Sequence, residues 1–142
     1  MIILDTNVIS ALMQSKPEPA VVAWLDQQPS KSIWTTSVSV FEIRFGLNIL
    51  PDGQRRRRLV ESFEQALRLD LENRVLDFDT SAAQYGAEIA ARLRETGRPV
   101  EIRDVQIAGI IASCRGVLAT RNSKHFLDTG VPLVDPWGSE SG

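Results

Sequence analysis

The chain has 142 residues, enough for one domain with a substantial core, and its formal net charge of −2 excludes a polycation that binds nucleic acid through bulk charge. Its composition, 43% hydrophobic and 24% charged, is that of a globular protein, with no low-complexity block. The single cysteine, Cys114, excludes an intrachain disulfide framework, and no apolar run reaches the roughly 18 residues of a membrane-spanning helix.

Ile2, Ile3 and Leu4 open the chain as a buried strand. Asp5 follows at once, which does not fit a secretory leader, and we expect a cytoplasmic protein. A helix is expected over about 7–14, with Pro17 and Pro19 punctuating its exit. PAVVAWLDQQ predicts a second helix, about 19–28, with Val22, Leu25 and Trp24 as its apolar face; Trp24 is a candidate for packing against a partner. SIWTT, 32–36, is β-branched and aromatic and predicts a strand with Trp34 in the core. Ser37 is expected to cap a helix over about 38–50, stopped by Pro51-Asp52-Gly53. Residues 54–70 carry Leu59, Phe63, Ala66, Leu67 and Leu69 at helical spacing.

VLDF, 75–78, predicts another strand, and Asp79 or Thr80 caps a helix over about 80–95, ended by Gly97 and Pro99. RDVQIAGIIASC, 103–114, has little polar surface and should be a central helix, with Cys114 a buried, unreactive thiol. GVLAT, 116–120, predicts a strand, SKHF a helical turn and PLVD, 132–135, a last strand. Short strands separated by helices predict a single α/β domain over 1–137, its short parallel sheet flanked by helices on both faces. Trp137 is placed to anchor the tail, and GSESG, 138–142, is expected to fray.

In such a sheet ligands bind at the carboxyl ends of the strands, so the residues that follow each strand matter most. These are Asp5-Thr6-Asn7, then Thr35, Thr36 and Ser37, then Arg121 and Asn122 after GVLAT. Glu42 borders an apolar stripe of Val38, Phe41 and Phe45, and Asp104 opens a largely buried helix. Each acid also has a plain structural reading: Asp5 and Asp104 as helix caps, Glu42 as a rim residue paired with Arg44. Convergence is what argues for chemistry, because three carboxylates and an amide in one crevice repel one another unless a cation lies between them. His125 is the only histidine and there is no Cys–His cluster, which disfavours zinc. Oxygen-only ligands suit Mg²⁺ or Mn²⁺, which can polarise a phosphodiester and activate water.

ILDTNVIS at 3–10, SVSVFEIRFGL at 37–47, RDVQIAGIIA at 103–112 and LATRNSKHF at 118–126, followed by VPLVDPW at 131–137, together resemble the PIN-domain ribonucleases. The likeness is to the VapC toxins of bacterial toxin–antitoxin pairs, in the FitB-like branch. It implies a Mg²⁺- or Mn²⁺-dependent endoribonuclease, a hydrolase of RNA, inhibited by a VapB-type antitoxin and usually a homodimer. It also implies that Asp5, Glu42 and Asp104 hold metal, that Asn122 takes the fourth position, and that a metal-activated water attacks phosphorus in line. Thr6 and Asn7 match the family's DTN, and Thr120 precedes the fourth position. The neutral amide of Asn122 leads us to expect one well-occupied metal, with a second formed only with substrate phosphate.

Arg44 and Lys124 flank the crevice in sequence and are candidates for substrate phosphate. Arg103 is open between binding phosphate and pairing with Glu101. Arg55–Arg58 reads either as a solvated helix start relieved by Glu61 and Glu64, or as a contact for RNA or an acidic antitoxin segment. His125 reads as a surface turn residue. Two other functions stay in view. A phosphatase on a doubly wound fold would use Asp5 as nucleophile, but typically wants a second aspartate where Asn7 stands. A PIN-like binding protein would keep the fold without catalysis.

Overall fold

The computed structural model describes residues 1–138; residues 139–142, most of the expected tail, lie outside the described residues. Five short strands are present: β1 Ile2–Leu4, β2 Ile33–Thr36, β3 Val75–Leu76, β4 Val117–Ala119 and β5 Leu133–Val134. They pair in parallel in the order β3–β2–β1–β4–β5. The first strand of the chain is therefore the middle of the sheet, with Ile2 beside both Ile33 and Val117 and Leu4 beside Ala119. The strand order reverses on either side of β1, which puts the ligand-binding crevice of this architecture at its carboxyl end.

The helices are α1 Thr6–Met13, α2 Pro19–Asp26, α3 Ser37–Asn48, α4 Gln54–Gln65, α5 Thr80–Glu95, α6 Ile102–Cys114 and α7 Ser123–Phe126. Alternation along β1 and β4 builds two cores from one sheet. Leu4 and Ala119 face a cluster with Val8, Ile9, Ile43, Leu47 and Phe63. Ile3 and Leu118 face the opposite one with Ile107, Ile111 and Phe126. Helices thus cover both faces, as the alternating pattern requires. Among the described residues no helix is long and apolar enough to cross a membrane.

Caps fix the helix starts next to the sheet edge. Asp5 accepts from the Thr6 N–H, Thr36 Oγ1 from the Ser39 N–H and Asp79 from the Ala82 N–H. Thr36, not Ser37, is thus the cap of α3; the Ser37 hydroxyl instead accepts from the Phe78 N–H at 3.3 Å. A π-helical turn, Ala66–Asp70, prolongs α4 and turns Leu69 outward, so Leu69 does not join the apolar face. α5 and α6 touch through glycines: a Cβ on Gly109 would fall 2.8 Å from the Gly86 nitrogen and against the Ala82 carbonyl. That contact lets α5 and α6 pack backbone to backbone.

Four expectations about packing change. Phe41 and Phe45 are 69% and 58% exposed and stack on each other, while α3 buries Ser39, Ile43 and Leu47. Trp24 packs against this chain's own core, and Trp34 is only partly buried against the other cluster. Cys114 is half-buried rather than buried. Trp137 does anchor the chain's end, with the Arg121 guanidinium 4.8 Å above its ring.

Candidate active site

Asp5 has no solvent exposure, and its position one residue past β1 explains both its burial and its partners. Its Oδ1 accepts from the Thr6 N–H at 2.8 Å and from Arg103 Nη2 at 2.6 Å. Its Oδ2 accepts from Thr120 Oγ1 at 2.8 Å and from Asn7 Nδ2 at 3.4 Å. Thr120, one residue past β4 and equally buried, also accepts from Asn7 Nδ2 at 3.2 Å and from the Asn122 N–H at 3.0 Å. Asn7 completes the ring by accepting the Arg121 N–H at 3.0 Å. A buried carboxylate is stable here because donors from α1, α6 and the end of β4 surround it.

The cation demanded by the clustered acids is Arg103. Its Nε donates to Glu42 Oε2 at 2.5 Å, its Nη2 to Asp5 Oδ1, and its Nη1 to Asp104 Oδ1 at 3.0 Å. Its partners are thus the three acids of the crevice, not Glu101. Glu42 is further held by the Thr6 hydroxyl at 2.5 Å. Burial raises the Glu42 carboxyl pKa, but the hydrogen bonds from Arg103 and Thr6 and the Arg103 charge outweigh it, leaving it below its ordinary value. Burial lowers the Arg103 pKa, yet Glu42 and Asp5 more than compensate and push it above its ordinary value.

These groups line an open cleft of about 620 Å³ whose walls include Thr6, Asn7, Glu42, Arg103, Asp104 and Asn122. Asn122 is exposed at the mouth, with its backbone rather than its side chain tied to Thr120. His125 also faces the cleft, with Nδ1 3.6 Å from Asp104 Oδ2, a position its place in a helical turn did not reveal. Lys124 lies beside it, on a smaller depression of about 270 Å³ shared with Asp104. Arg44 does not reach the cleft wall: it pairs with Glu64 at 2.7 Å and lies 4.8 Å over the Phe63 ring. Thr35 serves the sheet, donating to the Leu4 carbonyl at 2.8 Å. Within the basic run, Arg57 reaches Asp52 at 3.6 Å, and Glu64 is taken by Arg44 rather than by the run.

The donor set suits a hard divalent ion, being oxygen-only and anionic, and the cluster already holds one cation. As placed, however, no three His, Cys, Asp or Glu side chains among the described residues stand so as to share an ion. The guanidinium lies between the three acids.

Residues 2–131 match the PIN domain family. The chain is 35% identical over 137 residues to the VapC ribonuclease Y4jK of Sinorhizobium fredii, covering 96% of this chain and 98% of that protein. It is 32% identical to the toxin FitB of Neisseria gonorrhoeae, over 96% and 99% of the two chains. A solved structure of FitAB bound to an IR36 DNA fragment superposes with a TM-score of 0.88 at 32% identity, covering 99% of each chain. A chain with this sheet order, this acid cluster and these relatives belongs to the PIN-domain family, among its VapC- and FitB-type toxins.

Proposed function

We propose that this chain is the toxin of a toxin–antitoxin pair and a divalent-metal-dependent endoribonuclease that hydrolyses RNA in the cleft beside β1. One observation carries the reading: Asp5, Glu42 and Asp104, from three separate elements, converge on a single cation in an open cleft. Those acids would hold Mg²⁺ or Mn²⁺, which when bound supplies Lewis acidity toward a phosphodiester and toward an attacking water.

The chain's own residues orient that chemistry. Thr120 and Asn7 tie up Asp5 Oδ2, which fixes the carboxylate in one orientation with Oδ1 toward Arg103. Thr6 does the same for Glu42 by holding Oε1. Asn122, at the mouth, adds an amide without charge, consistent with one firm ion rather than two. His125 and Lys124 stand at the rim, where they are placed to meet RNA phosphates. The partner is a VapB-type antitoxin protein, a reading supported by relatives solved as FitAB and VapBC assemblies; a homodimeric toxin follows from the family resemblance alone.

A phosphatase using Asp5 as nucleophile fits less well, because Asn7 stands where such an enzyme's second acid would be. The deciding experiment is cleavage of a structured-RNA pool by antitoxin-free protein in Mg²⁺, Mn²⁺ or EDTA. Discrete cuts are expected only with metal, and Asp5→Asn or Asp104→Asn should lower the rate about a hundredfold or more. Folded wild-type protein that cuts nothing with either metal would move the reading to a binding protein.

A further inference from the structure

Resting on the metal-dependent reading, one residue stands in the way of the ion it requires. Asp5 is fully buried; Thr120 and Asn7 donate to its Oδ2, and the Thr6 N–H donates to its Oδ1. Arg103 Nη2 already holds that oxygen at 2.6 Å. The same guanidinium takes Glu42 Oε2 through Nε and Asp104 Oδ1 through Nη1, one nitrogen for each acid. A divalent ion placed among the three acids would compete with this guanidinium for those oxygens.

We propose that Arg103 is a resident counter-cation that competes with the divalent ion, so that metal enters only when the guanidinium swings out into the cleft. Arg103 sits on the first turn of α6, next to Asp104, and its side chain is 31% exposed on the cleft side, so an exit path is present. One positive charge against three carboxylates leaves the cluster net negative, which a doubly charged ion relieves better. The guanidinium cannot leave by losing its proton, because its acidic neighbours hold that proton more tightly than usual. Displacement is therefore a rotation of the side chain. The apparent metal affinity is reduced by the fraction of molecules in which Arg103 occupies the site.

The test needs no RNA. Free Mn²⁺ is followed by electron paramagnetic resonance during titration of wild type, Arg103→Gln and Arg103→Lys, all antitoxin-free. Arg103→Gln should bind Mn²⁺ at least about tenfold more tightly than wild type, with Arg103→Lys between them because it keeps the charge but loses the three-pronged fork. In parallel, the Arg103 Nε–H resonance of ¹⁵N-labelled wild type is followed as Mg²⁺ is added. It should be protected from solvent in EDTA and lose that protection as the ion binds. Should Arg103→Gln not fold, this wild-type titration decides alone. Equal or weaker Mn²⁺ binding by Arg103→Gln, or an unchanged Nε–H at saturating Mg²⁺, overturns the competition and leaves the nuclease reading intact. No metal binding by wild type or by either folded variant overturns both.

Discussion

A carboxylate without solvent access survives at position 5 because its partners are complete, and that completeness can be tested one atom at a time. The Thr120 hydroxyl donates to Asp5 and accepts from both Asn7 and the Asn122 N–H. Thr120→Val keeps the shape but removes all three bonds. It should cost about 1–3 kcal/mol, measured by urea unfolding in EDTA. Glu42 gives a pH signature with a definite sign. Its folded pKa lies below the ordinary 4.5, so the folded state binds fewer protons than the unfolded state as that range is crossed. Its contribution is fully present above about pH 4.5 and fades as pH falls through the lower folded value. In metal-free protein, wild type should therefore lose melting temperature on acidification more steeply than Glu42→Gln; parallel acid limbs would count against the assignment.

At the scale of the element, most helices and strands were legible within about two residues because capping and proline chemistry marks their ends. Asp79 opening α5 and the SKHF turn are examples. The faces were less legible. α3 carries two apolar stripes at helical spacing, Val38-Phe41-Phe45 and Val40-Ile43-Leu47, and periodicity alone cannot rank them. The chain's entry from β2 through the Thr36 cap turns the second stripe inward. Arg103 was unreadable for a related reason: two of its three acid partners lie 61 and 98 positions away, and only the fold joins them. Asp5 and Asp104 were legible because each stands at an element boundary, whereas Glu42 was read beside the Val38-Phe41-Phe45 stripe, whose phenylalanines face outward, so for it the family resemblance was the better guide. Two glycines test the helix packing in opposite directions. Gly109→Ala should destabilise by about 1–3 kcal/mol, because its Cβ meets α5 backbone. Gly46→Ala, in α3 with nothing within 4 Å of the added carbon, should stabilise by about 0.5–1 kcal/mol. Chemical denaturation reads both.

Across the whole molecule, the two cores share β1 and β4 and so cannot unfold apart. Trp24 and Trp137 report on one core and Trp34 on the other. Single-tryptophan variants should therefore give the same urea midpoint by fluorescence, coincident with circular dichroism. Separated midpoints would mean that the sheet does not couple its faces.

The central position of β1 also has a consequence during synthesis. Asp5 leaves the ribosome 98 and 115 positions ahead of two groups that hold it, Arg103 and Thr120. Until they emerge, β1 lacks β4 beside it and the acid cluster lacks its cation. Contacts so distant in the chain close late. The nascent chain thus carries Asp5 without these partners over that whole interval, and the acid cleft is assembled only after residue 120 is free to fold.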